Sequence, residues 1–136
     1  MKWVLSLGTG YVVTNIAATT LAVVILQPMI SPMFGSYIRT DVDGLAFAPL
    51  LVGYLVITII LAWLMPRVKS GQSGWAHGAV VGLVLGTAVF LGDHLVTAGW
   101  STIPALPMLL SGLVDALAVM AGGIVVAIMQ QLPIGE

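Results

Sequence analysis

Between Asp43 and Arg67 the chain carries no charged residue, and the run "AFAPLLVGYLVITIILAWLM" (46–65) is almost wholly apolar. Twenty residues of α-helix reach about 30 Å, the thickness of a bilayer's hydrocarbon core. Three further runs of this kind occur, giving spans at about 3–27, 46–65, 75–98 and 105–130. Lipid offers the backbone no hydrogen bonds, so each run is expected to be a helix. Continuous hydrophobicity of this kind lacks the alternation of a membrane-barrel strand. The expected fold is all-α: one domain, residues 1–136, forming a compact bundle of four transmembrane helices.

Composition closes off water as the solvent. Only 7% of residues are charged, against about 25% in a soluble domain. Mean hydropathy is +1.14. Four Lys and Arg and a net charge of −1 offer no basic patch to a nucleic acid. Cysteine is absent, which removes disulfides, thiolate chemistry and zinc–thiolate sites. The first apolar run follows a single positive residue, Lys2, and is interrupted by Gly8, Thr14 and Asn15. It reads as a retained span rather than a cleaved secretion signal.

Prolines and charges set the boundaries. Pro28 and Pro32 in "QPMISPMFG" are expected to close the first span. Pro49 fits the first turn of the second, and Pro104 and Pro107 the start of the fourth. Connections at 28–45, 66–74 and 99–104 remain. Lys2, Arg67 and Lys69 fall on one side and Arg39 on the other, so both termini are expected in the cytoplasm. Trp3, Trp63 and Trp75 then lie near the inner interface and Trp100 near the outer one, as an aromatic belt. The two halves also align loosely as a degenerate two-hairpin repeat, 10–24 over 78–92 and 50–56 over 109–115.

"GWAHGAVVGLVLG" places Gly74, Gly78, Gly82 and Gly86 at every fourth position. Glycine weakens a helix in water by about 1 kcal/mol against alanine. In lipid, where association depends on close van der Waals contact, small residues let two backbones approach. Gly112, Ala116, Gly122 and Gly123 make the fourth span the natural partner for this groove, with homodimerisation as the competing reading.

Polar residues inside apolar spans are costly and need partners. Asp115 lies near mid-bilayer, with Ser111 one turn before it. Its candidate partners are Tyr11, Asn15 and Thr19 on the first span and Tyr54 and Thr58 on the second, with Asn15 preferred for its depth. A neutral Asp115 would fix register through one interhelical hydrogen bond; a proton or ion relay, or contact with a bound lipid or pigment, are the other readings. Asp93, seven residues after Gly86, is expected on the packed stripe, with His94 about 100° away. Water and headgroups could satisfy both. A metal site there would need Asp41 or Asp43 to fold back, and none is expected. His77 reads as an interfacial residue, and the seven methionines as gap-filling apolar groups. No GxSxG, HExxH, P-loop or GxGxxG is present, so no catalytic residues, cofactor or enzymatic activity are expected.

The forms "LLVGYLVITIILAWLMPR", "GAVVGLVLG" followed by Asp93, and "LVDALAVMAGGIVVAIM" resemble uncharacterised small four-helix bacterial membrane proteins of the domain-of-unknown-function kind, over about residues 46–130. That resemblance implies a compact four-helix fold in the bacterial cytoplasmic membrane and assigns no functional residue. The expected role is a non-catalytic accessory subunit that stabilises or assembles a larger membrane complex, energy-converting or photosynthetic. Its partners would be lipid and either protein subunits or further copies of itself. The segment Met33–Asp43 could grip such a partner. The alternative is a small oligomeric transporter or channel using Asp115 or Asp93.

Overall fold

The computed structural model describes residues 1–34 and 47–133. Among them, the secondary structure is helical throughout, in four continuous rods. The first joins α1 (Lys2–Leu21), a π-turn (Ala22–Leu26) and α2 (Gln27–Phe34). The second is α3 (Phe47–Leu64). The third joins α4 (Gly74–Gly86), a π-turn (Thr87–Leu91) and α5 (Gly92–Trp100). The fourth is α6 (Ala105–Gln131). All four are long and apolar enough to cross a membrane.

The chain does not close the first helix at residue 27. It passes Pro28 and carries Pro32 inside α2. A proline removes one N–H and crowds the carbonyl four residues back. Here the π-turn lies just before Pro28, and Gln27 N–H bonds to Ala22 O, five residues back. The widened turn takes up the crowding that would otherwise break the rod, as membrane helices often do around proline. Of the long connection at 28–45, residues 35–46, with Arg39, Asp41 and Asp43, lie outside the described residues.

α6 is the hub. Half of its most apolar window is buried inside the chain (50%), against 22%, 22% and 17% for the other three rods. Its contacts with α4 and α1 are the most extensive in the molecule. The reason lies in small side chains. A methyl group placed on Gly78 would strike Gly123 O, and one on Gly82 would lie 2.7 Å from Val119 O. On Gly86 it would lie 2.7 Å from Ala116 Cα, and on Gly112 2.7 Å from Leu91 Cα. These are backbone atoms, so the helices touch main chain to main chain. The groove on the third rod is filled by α6 of the same chain and is closed to a second copy. Gly74 stands apart from this contact. It has φ +59° and meets nothing nearer than Gln131 Oε1 at 3.8 Å, so its glycine serves the left-handed turn that opens α4.

A second stripe seats α1. Ser6, Gly10, Thr14 and Ala18 are all buried, at every fourth position. A side chain on Gly122 would strike Thr14 Oγ1, and one on Gly10 would strike Val126. Ser6 and Thr14 keep their hydroxyls satisfied by donating to their own helix, to Trp3 O at 3.0 Å and Gly10 O at 2.8 Å. The loose repeat alignment superposes Ser6, Gly10, Thr14 and Ala18 on Gly74, Gly78, Gly82 and Gly86. Yet both rods seat on α6, whereas α3 is peripheral, so the second and fourth rods are not equivalent.

Two apolar clusters complete the core. Ile57, Leu61, Met65, Val81, Val119 and Val126 fill the end near the chain termini. Leu26, Ile30, Met108 and Val114 fill the opposite end. In α3 the buried residues Ile57, Thr58, Leu61 and Ala62 all lie in its second half. Most of its first half, including Phe47, Leu50, Leu51 and Val52, is exposed. Past α3, Arg67 donates to Trp63 O at 2.7 Å and lies 4.5 Å from the Trp63 ring centre. His77 closes the same end, its Nε2–H donating to Met65 O at 2.8 Å and its Nδ1 lying 2.7 Å from Ser70 Oγ.

Candidate functional site

Three rods each contribute one polar side chain to a common point. Tyr54 of α3 donates its hydroxyl to Asp115 Oδ1 of α6 at 2.8 Å. His94 Nε2 of α5 stands 4.0 Å from the other carboxyl oxygen, Oδ2. The remaining imidazole nitrogen, Nδ1, lies 2.7 Å from Phe90 O. A carbonyl can only accept, so Nδ1 carries the hydrogen and Nε2 faces Asp115 either as a lone pair or, when the ring is protonated, as a donor. Phe90 lines the cluster on one side, its ring centre 5.9 Å from that of Tyr54 and 6.4 Å from that of His94. His94 and Asp115 are each about one-fifth exposed, at 21% and 19%. The hydroxyl and the carboxyl share a hydrogen bond, while the imidazole stands beyond hydrogen-bond distance, so passing a proton to or from His94 requires a closer approach or a bridging water.

Depth in the sequence favours Asn15 as the partner of Asp115, and the structure gives Tyr54 instead. Asn15 Nδ2 donates to Tyr11 O on its own helix at 2.8 Å. Tyr11 reaches Leu51 O at 3.3 Å, Thr58 donates to Tyr54 O at 2.7 Å, and Thr19 is exposed. An asparagine one turn from a backbone carbonyl satisfies itself locally, whereas a tyrosine is long enough to cross between rods.

Asp93 is likewise not on the packed stripe; it is exposed, and His94 points inward. The π-turn at Thr87–Leu91 is the cause. Gly92 N–H bonds back to Thr87 O, five residues away, so one extra residue has entered the turn. Eight residues after Gly86 then count as seven, which returns His94 to within about 20° of the glycine face. Asp93 is carried about 120° off it. The same shift in the first rod buries Leu26 and exposes Ile25.

A cavity of about 340 Å³ opens beside the cluster, between the first rod, the first half of α3 and α6. Tyr54, Asn15 and Ser111 line its deep part, and Gln27 and Ser31 its far end. Ala18, Ala22, Leu26, Ile30 and Leu50 form much of the apolar wall between. Val23, Leu50 and Leu51 on its rim are exposed, so it opens sideways. A more open depression of about 420 Å³ lies at the termini end, lined by Met65, Lys69, Ser70, His77 and Gln131. Among the described residues, no group of three or more His, Asp or Glu is placed to hold a metal ion.

No protein-family model matches the chain, and no curated protein or solved structure matches it.

Proposed function

We propose that the chain is a non-catalytic multi-pass protein of the bacterial cytoplasmic membrane, with both termini cytoplasmic, acting as a small accessory subunit of a larger membrane complex. The observation that carries this reading is the asymmetry of burial: α6 is half buried, while the other three rods leave most of their apolar surface uncovered by the chain itself. Lipid and partner helices are the covers such surfaces accept. Exposed Trp3, Trp63, Trp75 and Trp100 near rod ends suit an interfacial belt. The excess of Lys2, Arg67 and Lys69 supports the orientation, and the resemblance over residues 46–130 supports the bacterial setting. Extraction in a mild detergent followed by native mass spectrometry tests the reading. A second protein at fixed stoichiometry is expected, and a lone monomer from its own native membrane would overturn it.

A second reading has its own observation. Tyr54, Asp115 and His94 meet from three rods, which supports a proton-handling or transport role for a small oligomer. In sealed liposomes, Asp115→Asn then abolishes proton or solute flux while the bundle stays assembled. Flux that persists in this variant removes the relay.

A further inference from the structure

We propose that the side-opening cavity binds a neutral lipophile with a single hydroxyl or carbonyl head, the head at Ser31 and the apolar body running towards Asn15. The inference uses the membrane setting above but is independent of the accessory-subunit role.

Shape comes first. The cavity wall follows the first rod from Asn15 to Ser31. Sixteen residues of helix cover about 24 Å, so the space is long rather than round. Its volume of about 340 Å³ lies within the range of about 300–1,000 Å³ seen for small-molecule sites. Ala18 and Ala22 keep the floor of the groove low, and exposed Leu50 and Val23 flank the opening towards the surrounding lipid. A long apolar body can therefore enter from the bilayer without passing through water.

Charge selects the head. Among the described residues, no Lys, Arg, Asp, Glu or His lines the cavity. A phosphate, carboxylate or ammonium drawn into it would be desolvated without a counter-charge, which is prohibitive in an apolar setting. A neutral oxygen is not.

Hydrogen bonding places the head at one end. At the deep end the Asn15 amide donates to Tyr11 O and the Tyr54 hydroxyl to Asp115. At the other end Ser31 Oγ is buried with no hydrogen-bond partner. Its situation contrasts with that of Ser6, Thr9, Thr14 and Thr58, each of which donates to a carbonyl of its own helix. A buried hydroxyl left unpaired is costly, and such an atom in a folded protein calls for an explanation. A hydroxyl or carbonyl on the ligand supplies the missing partner.

The test uses the full chain in phosphatidylcholine vesicles with three photoactivatable probes of equal length, each with a diazirine on the chain: hexadecanol, hexadecane and hexadecanesulfonate. After illumination, labelled peptides are located by mass spectrometry. Hexadecanol is expected to label the peptides holding Ala22–Ser31 and Leu50 at least several-fold above the other two, with competition by unlabelled hexadecanol. Ser31→Ala, which removes an unpaired hydroxyl and so leaves the melting temperature unchanged or raised, should bring hexadecanol labelling down to the hexadecane level. Leu50→Trp, at an exposed rim position, should block labelling by all three. Equal labelling by the three probes would mean that ordinary acyl chains fill the groove, and would overturn the proposal. So would hexadecanol labelling that Ser31→Ala leaves intact. Neither result depends on whether a partner protein co-purifies.

Discussion

Replacing Gly82 by alanine adds one methyl group at the centre of the α4–α6 crossing. That methyl carbon would lie 2.7 Å from Val119 O and 2.9 Å from Met120 Cα, where ordinary contact begins at 3.4 Å. The shortfall is 3.4 − 2.7 = 0.7 Å, and the obstructing atoms belong to the backbone of α6. The two helices must part, because no rotamer can relieve it. A gap of about 0.5–1 Å forfeits a quarter to a half of each facing dispersion contact, and overpacking of this kind costs about 1–3 kcal/mol. Alanine's better helix propensity returns at most about 1 kcal/mol. With that return in full, the net loss is up to about 2 kcal/mol, a fall of up to about 30-fold in the folded-to-unfolded ratio. Gly53→Ala is the matched control. Nothing lies within 4 Å of its added methyl, so stability should be unchanged or rise by up to about 1 kcal/mol. Reversible unfolding in mixed micelles of a mild detergent and dodecyl sulfate, followed by circular dichroism, measures both variants. If Gly82→Ala proves as stable as Gly53→Ala, the main-chain contact between α4 and α6 is not what holds the bundle together.

Two further outcomes follow from the site. In a double-mutant cycle, Tyr54→Phe and Asp115→Leu, each of which removes one partner of the bond, should couple by about 0.6 kcal/mol and at most about 1.7 kcal/mol, as hydrogen bonds between membrane helices do; strict additivity would mean that the Tyr54–Asp115 bond contributes nothing to the fold. Deleting Ala88, inside the Thr87–Leu91 π-turn, should convert that turn to regular α-helix and leave His94 facing Asp115. Deleting Leu83, one turn earlier in α4, should rotate everything beyond it by about 100° and unfold the bundle. Equal damage from the two deletions in the same unfolding assay would remove the register argument.

The four rods are readable because long, nearly uncharged apolar runs stand directly in the sequence, and the Gly78–Gly82–Gly86 spacing marks a face of the third rod just as directly. The matching Ser6–Gly10–Thr14–Ala18 stripe carried the same four-residue period and was overlooked, since serine and threonine mask small size behind polarity. The π-turns were not readable. They are set by which carbonyl each N–H chooses, and no side chain announces that choice. A uniform helical wheel therefore puts Asp93 inward and His94 to the side, where the π-turn reverses the two. Pro28 misled for a related reason: the adjacent π-turn lets the rod continue. A carboxyl inside an apolar run needs a partner, and depth alone favours Asn15 for Asp115. Side-chain reach and the ease of a local bond decided for Tyr54.

Because the chain has no cysteine, its topology can be read with single introduced thiols. Gln72→Cys sits in the connection between α3 and α4, and Thr102→Cys in the turn between α5 and α6; both positions are exposed. In spheroplasts, a membrane-impermeant maleimide should label Thr102→Cys from outside and Gln72→Cys only after the membrane is opened. Labelling of both thiols from the same face, or recovery of the protein in the soluble fraction, would contradict a bundle whose rods cross the bilayer.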